Sequence, residues 1–152
     1  MARFHAITIL VLLVAVAACS PAPTPPPTTS VTTEAAAAAY SAFLDAWTQE
    51  HGDEINAAAA AADDDPAQVA AYARTLVDAY GSFAEDLEAI PMPGSVRPAA
   101  DREVAAVEVL VGLAGQLEAT PDDASIRTQL QEAMARVARA SAEIEALLGL
   151  SN

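Results

Sequence analysis

The chain has 152 residues, 53% of them hydrophobic, with a formal net charge of −14 and a single cysteine. That length fits one domain once terminal segments are set aside, and one cysteine excludes a disulfide within the chain. The acidic balance argues against nucleic acid and against charge-driven adhesion to anionic lipid headgroups, since both need cationic contacts with phosphate.

Much of the hydrophobic fraction is alanine, the strongest helix former. Lysine is absent and all seven basic residues are arginine, a usage that fits a GC-rich genome.

Residues 1–18 have the layout of a secretory signal: Arg3 supplies positive charge, Ile7 to Ala17 is an apolar run broken only by Thr8, and the small residues Ala17 and Ala18 follow. The run is about 11 residues, whereas a membrane-spanning helix needs roughly 20. Val16-Ala17-Ala18-Cys19 resembles the lipobox of bacterial lipoproteins. The resemblance covers the signal segment alone. It implies cleavage before Cys19, a diacylglycerol on the Cys19 thiol and often a further acyl chain such as palmitate on the new amine. One acyl chain binds a membrane only marginally, and two or more hold firmly, at about 0.8 kcal/mol per buried CH₂. The expectation is therefore an exported protein on the extracytoplasmic face of the cell membrane, anchored at Cys19.

Residues 19–33 read as Cys19 followed by a Pro/Thr-rich tether, SPAPTPPPTTSVTT. Proline removes backbone donors and blocks helix, so the segment favours extended polyproline II. At about 3.1 Å per residue it reaches roughly 40 Å when fully extended.

Residues 34–152 carry four apolar-periodic segments, predicted as helices over about 34–62, 66–90, 96–119 and 121–149. Tyr40, Phe43, Leu44, Trp47, His51 and Ile55 share one face of the first. Val69, Tyr72, Leu76, Tyr80, Phe83, Leu87 and Ile90 do so in the second. Val96, Ala100, Val104, Val107, Leu110, Val111, Ala114 and Leu117 mark the third. Ile126, Leu130, Ala133, Val137, Ala140, Ile144 and Leu147 mark the fourth. Asp65-Pro66-Ala67-Gln68 and Thr120-Pro121-Asp122-Asp123 are helix starts with a cap and a proline at the first helical position. Ser95 is the expected cap of the third helix, with Pro98 in its first turn. Short joins between helices of similar length predict an all-α fold, an antiparallel up-down four-helix bundle.

Two interior features qualify the bundle. Gly52 is expected to bend or break the first helix. Gly112 and Gly115 suit either close helix approach beneath a large neighbour such as Trp47, or a cavity. All six aromatics after Cys19 lie in the first two segments, so a gap between an aromatic half and an aliphatic half is the natural place for an apolar ligand.

Reactive groups are sparse. After Cys19 there is one histidine, His51, and neither a nucleophile elbow nor a phosphate-cradling glycine loop. Glu50-His51-Gly52-Asp53-Glu54 lacks the second histidine motif of a di-iron bundle, and Asp63-Asp64-Asp65 lacks calcium-loop spacing. No metal, cofactor or enzymatic activity is expected. Glu85, Asp86 and Glu88 fall near the end of the second segment, where the helix dipole disfavours negative charge, and a broken local rule can mark a functional surface. Arg74–Asp78, Arg97–Asp101, Glu132–Arg136 and Arg139–Glu143 have the spacing of surface ion pairs.

Two functions remain in view. One is a non-enzymatic, membrane-tethered module that contacts another envelope protein, with Val77, Val109 and Leu148 as apolar positions outside the core faces. The other is binding of an apolar or cationic small ligand near Trp47 or Tyr80, with His51, Glu85, Asp86 and Glu88 as further contacts. In layout the chain resembles small Ala-rich helical lipoproteins of GC-rich bacteria such as actinobacteria, and that likeness implies no particular activity.

Overall fold

The computed structural model describes residues 31–62 and 65–150. The signal segment, Cys19 and the tether up to residue 30 lie outside the described residues, as do Asp63 and Asp64. The described residues form helices α1 (Thr33–Ala61), α2 (Pro66–Gly81), α3 (Phe83–Ala89), α4 (Arg97–Ala119) and α5 (Ala124–Leu148), with no strand among them. With α2 and α3 standing in for the predicted second helix, the fold is all-α: four helices packed against each other.

Local chemistry sets the helix ends. Thr32 caps α1 by accepting from the Ala35 amide at 3.2 Å. The Asp65 carboxylate accepts from the Ala67 amide at 2.8 Å, directly before Pro66 at the helix start. Asp123, rather than Thr120, caps α5, taking the Ser125 and Ile126 amides at 2.8 and 3.2 Å. The Thr120 hydroxyl instead bonds back to the Gln116 carbonyl at 2.8 Å and closes α4. α4 starts after Val96 with no side-chain cap, so Ser95 does not serve as one. At the end of α5, Gly149 takes the left-handed conformation (φ 74°), and the Leu150 amide reaches the Glu145 carbonyl at 2.8 Å. That wrap is the Schellman arrangement, and it lays Leu150 back on the core.

α4 is the spine. It packs on α5, α2 and α3, and its buried face includes Val104, Val107, Leu110, Ala114 and Leu117. α5 answers with Leu130, Ala133, Val137, Ala140, Ile144 and Leu148. α1 is the least embedded helix: of its 29 residues only Ala36 and Tyr40 are buried, and Phe43, Leu44, Trp47 and Ile55 pack half-buried at the core margin.

Several expectations are corrected. Leu148 is buried and Leu147 is 45% exposed, the reverse of the expected assignment, because the face that carries Ile144 continues four residues on to Leu148. Gly52 does not break α1, which runs unbroken through it. The interruption falls instead at Ser82, beside Gly81. Gly112 and Gly115 are exposed, and a Cβ on either would meet nothing within 4 Å, so neither lies beneath Trp47. Of the expected intrahelical ion pairs only Glu132–Arg136 forms, at 3.7 Å. Arg74 reaches across to Glu118 at 2.7 Å, and Arg102 takes Glu143 at 2.6 Å. Arg97 turns to the Ile90 carbonyl at 3.1 Å.

Candidate functional site

Two places concentrate polar or aromatic chemistry. The first contains the residues singled out from the sequence. Trp47 on α1 donates its indole N–H to the Ala79 carbonyl at 2.9 Å. That carbonyl lies in the last turn of α2, where helix geometry leaves carbonyls without intrahelical partners. Around the indole stand Tyr80 (ring centroids 4.8 Å apart), Phe83 (5.4 Å, edge-on) and His51 (5.6 Å), and Phe43 packs edge-on against Phe83 at 4.8 Å. Phe43 and Trp47 of α1, Tyr80 of α2 and Phe83 of α3 thus pack in one cluster, whereas Tyr72 of α2 turns its hydroxyl to Met134 of α5.

A surface cleft of about 340 Å³ opens over this cluster, lined by Phe43, Trp47, Glu50, His51, Asp78, Ser82 and Asp86. Trp47, His51 and Asp86 therefore meet there. Tyr80 borders a different cleft, of about 420 Å³, toward α4 with Val107 and Val111. Glu85 and Glu88 are exposed and line neither. The interruption at Ser82 also changes the electrostatic reading of α3. Glu85 and Asp86 fall in its first turn, where free amides favour negative charge, so the penalty expected at the end of one long helix does not apply to them. No group of three or more histidine, cysteine or carboxylate side chains placed to hold a metal ion occurs among the described residues.

The second place is absent from the sequence reading. Glu103 on α4 is fully buried, at 0% exposure. Its Oε2 accepts from the Tyr40 hydroxyl of α1 at 3.1 Å, and its Oε1 meets the Ser141 hydroxyl of α5. Ser141 Oγ also lies 3.2 Å from the Val137 carbonyl. No cation joins the group: the ion pairs among the described residues leave Glu103 out, and its neighbour Arg102 faces Glu143. A buried carboxylate without a counter-charge is costly, and such a group tends to keep its proton. Burial accordingly pushes the Glu103 carboxyl above the usual glutamate range. The hydrogen bonds from Ser141 and Tyr40 oppose that rise and the Glu145 carboxylate adds to it. Burial, and then the proximity of Glu103, likewise raises the Tyr40 phenol, which stays a donor.

A signal for Glu103 was present in the spacing. Val96, Ala100, Glu103, Val107, Leu110, Ala114 and Leu117 step by 4, 3, 4, 3, 4 and 3, a better seam than the one that passes through Val104. A glutamate at a seam position is the mark of a buried carboxyl. Ser141 leaves no comparable trace, because it falls beside the Val137, Ala140 and Ile144 seam of α5 and not on it.

No protein-family model, no curated protein and no solved structure matches the chain.

Proposed function

We propose that the protein is an exported lipoprotein held at the membrane by lipid on Cys19, whose helical domain is a non-enzymatic module that contacts another envelope protein. The observation that carries this reading is the signal segment ending in Val16-Ala17-Ala18-Cys19, followed by a proline-rich tether and one folded domain. No helix among the described residues is long and apolar enough to cross a membrane, and the charge of −14 offers no electrostatic hold on anionic lipid. Lipid on Cys19 supplies the attachment. The helices follow an antiparallel up-down order in this reading, supported by Arg102–Glu143, which joins the start of α4 to the later part of α5, and by Arg74–Glu118, which joins mid-α2 to the end of α4. Val109, 46% exposed on the outer side of α4 and α5 between two shallow clefts, is the apolar position best placed for a partner. Val77 is half-buried against the core and offers less.

Fractionation of cells that express wild type or Cys19→Ser tests the anchor. The expected result is wild type in the membrane fraction, with the variant released or left unprocessed. Unchanged membrane retention and mass in the variant would overturn it.

The cleft over Trp47 favours a second reading, capture of a small organic cation. A cleft lined by Trp47 together with Glu50, Asp78 and Asp86 matches the recognition of a cation by aromatic and carboxylate groups. Titration with a quaternary ammonium such as choline should shift the emission of Trp47, the sole tryptophan. Loss of the shift in Asp78→Asn/Asp86→Asn supports the reading, and an unresponsive wild type removes it.

A further inference from the structure

The Glu103 cluster joins three helices through hydrogen bonds that depend on one proton. Ser141 has a single hydroxyl hydrogen and two acceptors beside it, Glu103 Oε1 and the Val137 carbonyl. With a proton on Glu103 Oε1 the chain closes: Tyr40 donates to Oε2, Glu103 donates to Ser141, and Ser141 donates to Val137. With Glu103 ionised, Ser141 must leave the Val137 carbonyl to serve the carboxylate, and a full charge sits in the core without a cation. The titratable or polar groups that face Glu103 are Tyr40 from α1, Ser141 and the Glu145 carboxylate from α5, and the Tyr80 phenol from α2. None can be a counter-charge. Glu103 is fully buried and lines none of the clefts described above.

The helices that meet at Glu103 are unequally held. α4 and α5 share a long apolar seam and the Arg102–Glu143 pair. α1 has two buried residues, one of which is Tyr40 itself. Water reaches a charged Glu103 at least apolar cost by displacement of α1. We propose that Glu103, Tyr40 and Ser141 form a proton-dependent latch: α1 packs mainly on α2 and is tied to α4 and α5 through Tyr40 while Glu103 is protonated, and loss of that proton loosens α1 while α4 and α5 stay packed. α1 is also the helix that follows the proline-rich segment, so the latch acts on the part of the domain nearest the N-terminal end.

The folded carboxyl keeps its proton at a pH where an exposed glutamate has lost it, so the latch is complete below the ordinary glutamate value. As pH rises above that value, opening of α1 becomes about tenfold more favourable per pH unit, until the folded carboxyl itself has ionised.

The test uses the full chain purified in detergent, at constant ionic strength, with two readouts over a pH series: Trp47 emission, which reports α1, and amide hydrogen exchange normalised for its intrinsic pH dependence. Wild type should show a red-shifted Trp47 and loss of protection in α1 as pH rises, with protection kept in α4 and α5. Glu103→Gln, an uncharged mimic of the protonated acid, should hold α1 across the series. His51 beside Trp47 affects emission in both proteins, so the difference between them is the measure. Ser141→Ala removes the acceptor of the Glu103 proton in the closed chain, and should move the α1 transition to lower pH than in wild type. The latch is overturned if α1 protection is independent of pH, if α1 is lost together with α4 and α5, or if Glu103→Gln behaves as wild type. Should Glu103→Gln fail to fold, an unmoved transition in Ser141→Ala overturns it equally.

Discussion

Glu103 is the residue where this domain departs from an ordinary apolar bundle. A buried polar group is tolerated when every partner is present, and no buried side-chain nitrogen or oxygen among the described residues lacks one. The partners are therefore interdependent. Glu103→Ala strands the Tyr40 hydroxyl and leaves a void, and should cost at least about 1–3 kcal/mol in urea unfolding at acidic pH. Replacing the whole set, as Tyr40→Phe with Glu103→Met and Ser141→Ala, removes donor and acceptor together and should recover most of that loss. A triple variant as unstable as Glu103→Ala would mean that shape, and not hydrogen bonding, fixes the site. The same residue shows how far the sequence can be read. Its seam spacing marks it, but Val104 next door also fits an apolar face of the same helix. Which hydroxyls would reach position 103 depends on how α1 and α5 dock, and that is a tertiary fact with no local signature.

At the scale of elements, the punctuation was the most legible part. Asp65 before Pro66 and the acids around Pro121 located the starts of α2 and α5 to within a few residues, because capping is a local interaction. Glycines were misread for the opposite reason, since what a missing side chain makes room for is known only once neighbours are placed. Gly52 has helix on both sides and no consequence for α1, whereas Ser82, unremarkable in sequence, separates α2 from α3. Gly112 sits exposed in the middle of α4 with open space around it. If nothing binds there, Gly112→Ala should stabilise the domain by about 0.5–1 kcal/mol through helix propensity alone. Chemical denaturation of the variant checks this, and a destabilised Gly112→Ala would show that the position makes a contact beyond those of the isolated chain.

For the whole molecule, the division of labour runs along the chain. In the proposed function the signal and Cys19 set location, the proline-rich segment sets reach, and the bundle presents surfaces. The all-α class followed from alanine content and 3.6-residue periodicity, and the packed helices agree with it. The candidate site was legible only in part. Trp47, His51 and Asp86 do meet at one cleft, while Tyr80 turns to another and Glu85 and Glu88 remain on open surface. Aromatic residues announce themselves by type, but the cleft that they line is set by how α1 lies across the α2–α3 join.

The central claim is that the domain works from a lipid anchor at Cys19. Intact mass spectrometry of the full-length gene product, carrying a C-terminal tag and purified from membranes, tests it most directly. The account predicts a chain that begins at Cys19 and carries the added mass of a diacylglycerol, with or without one further acyl chain. A chain that retains residues 1–18, or one with an unmodified Cys19, would contradict it.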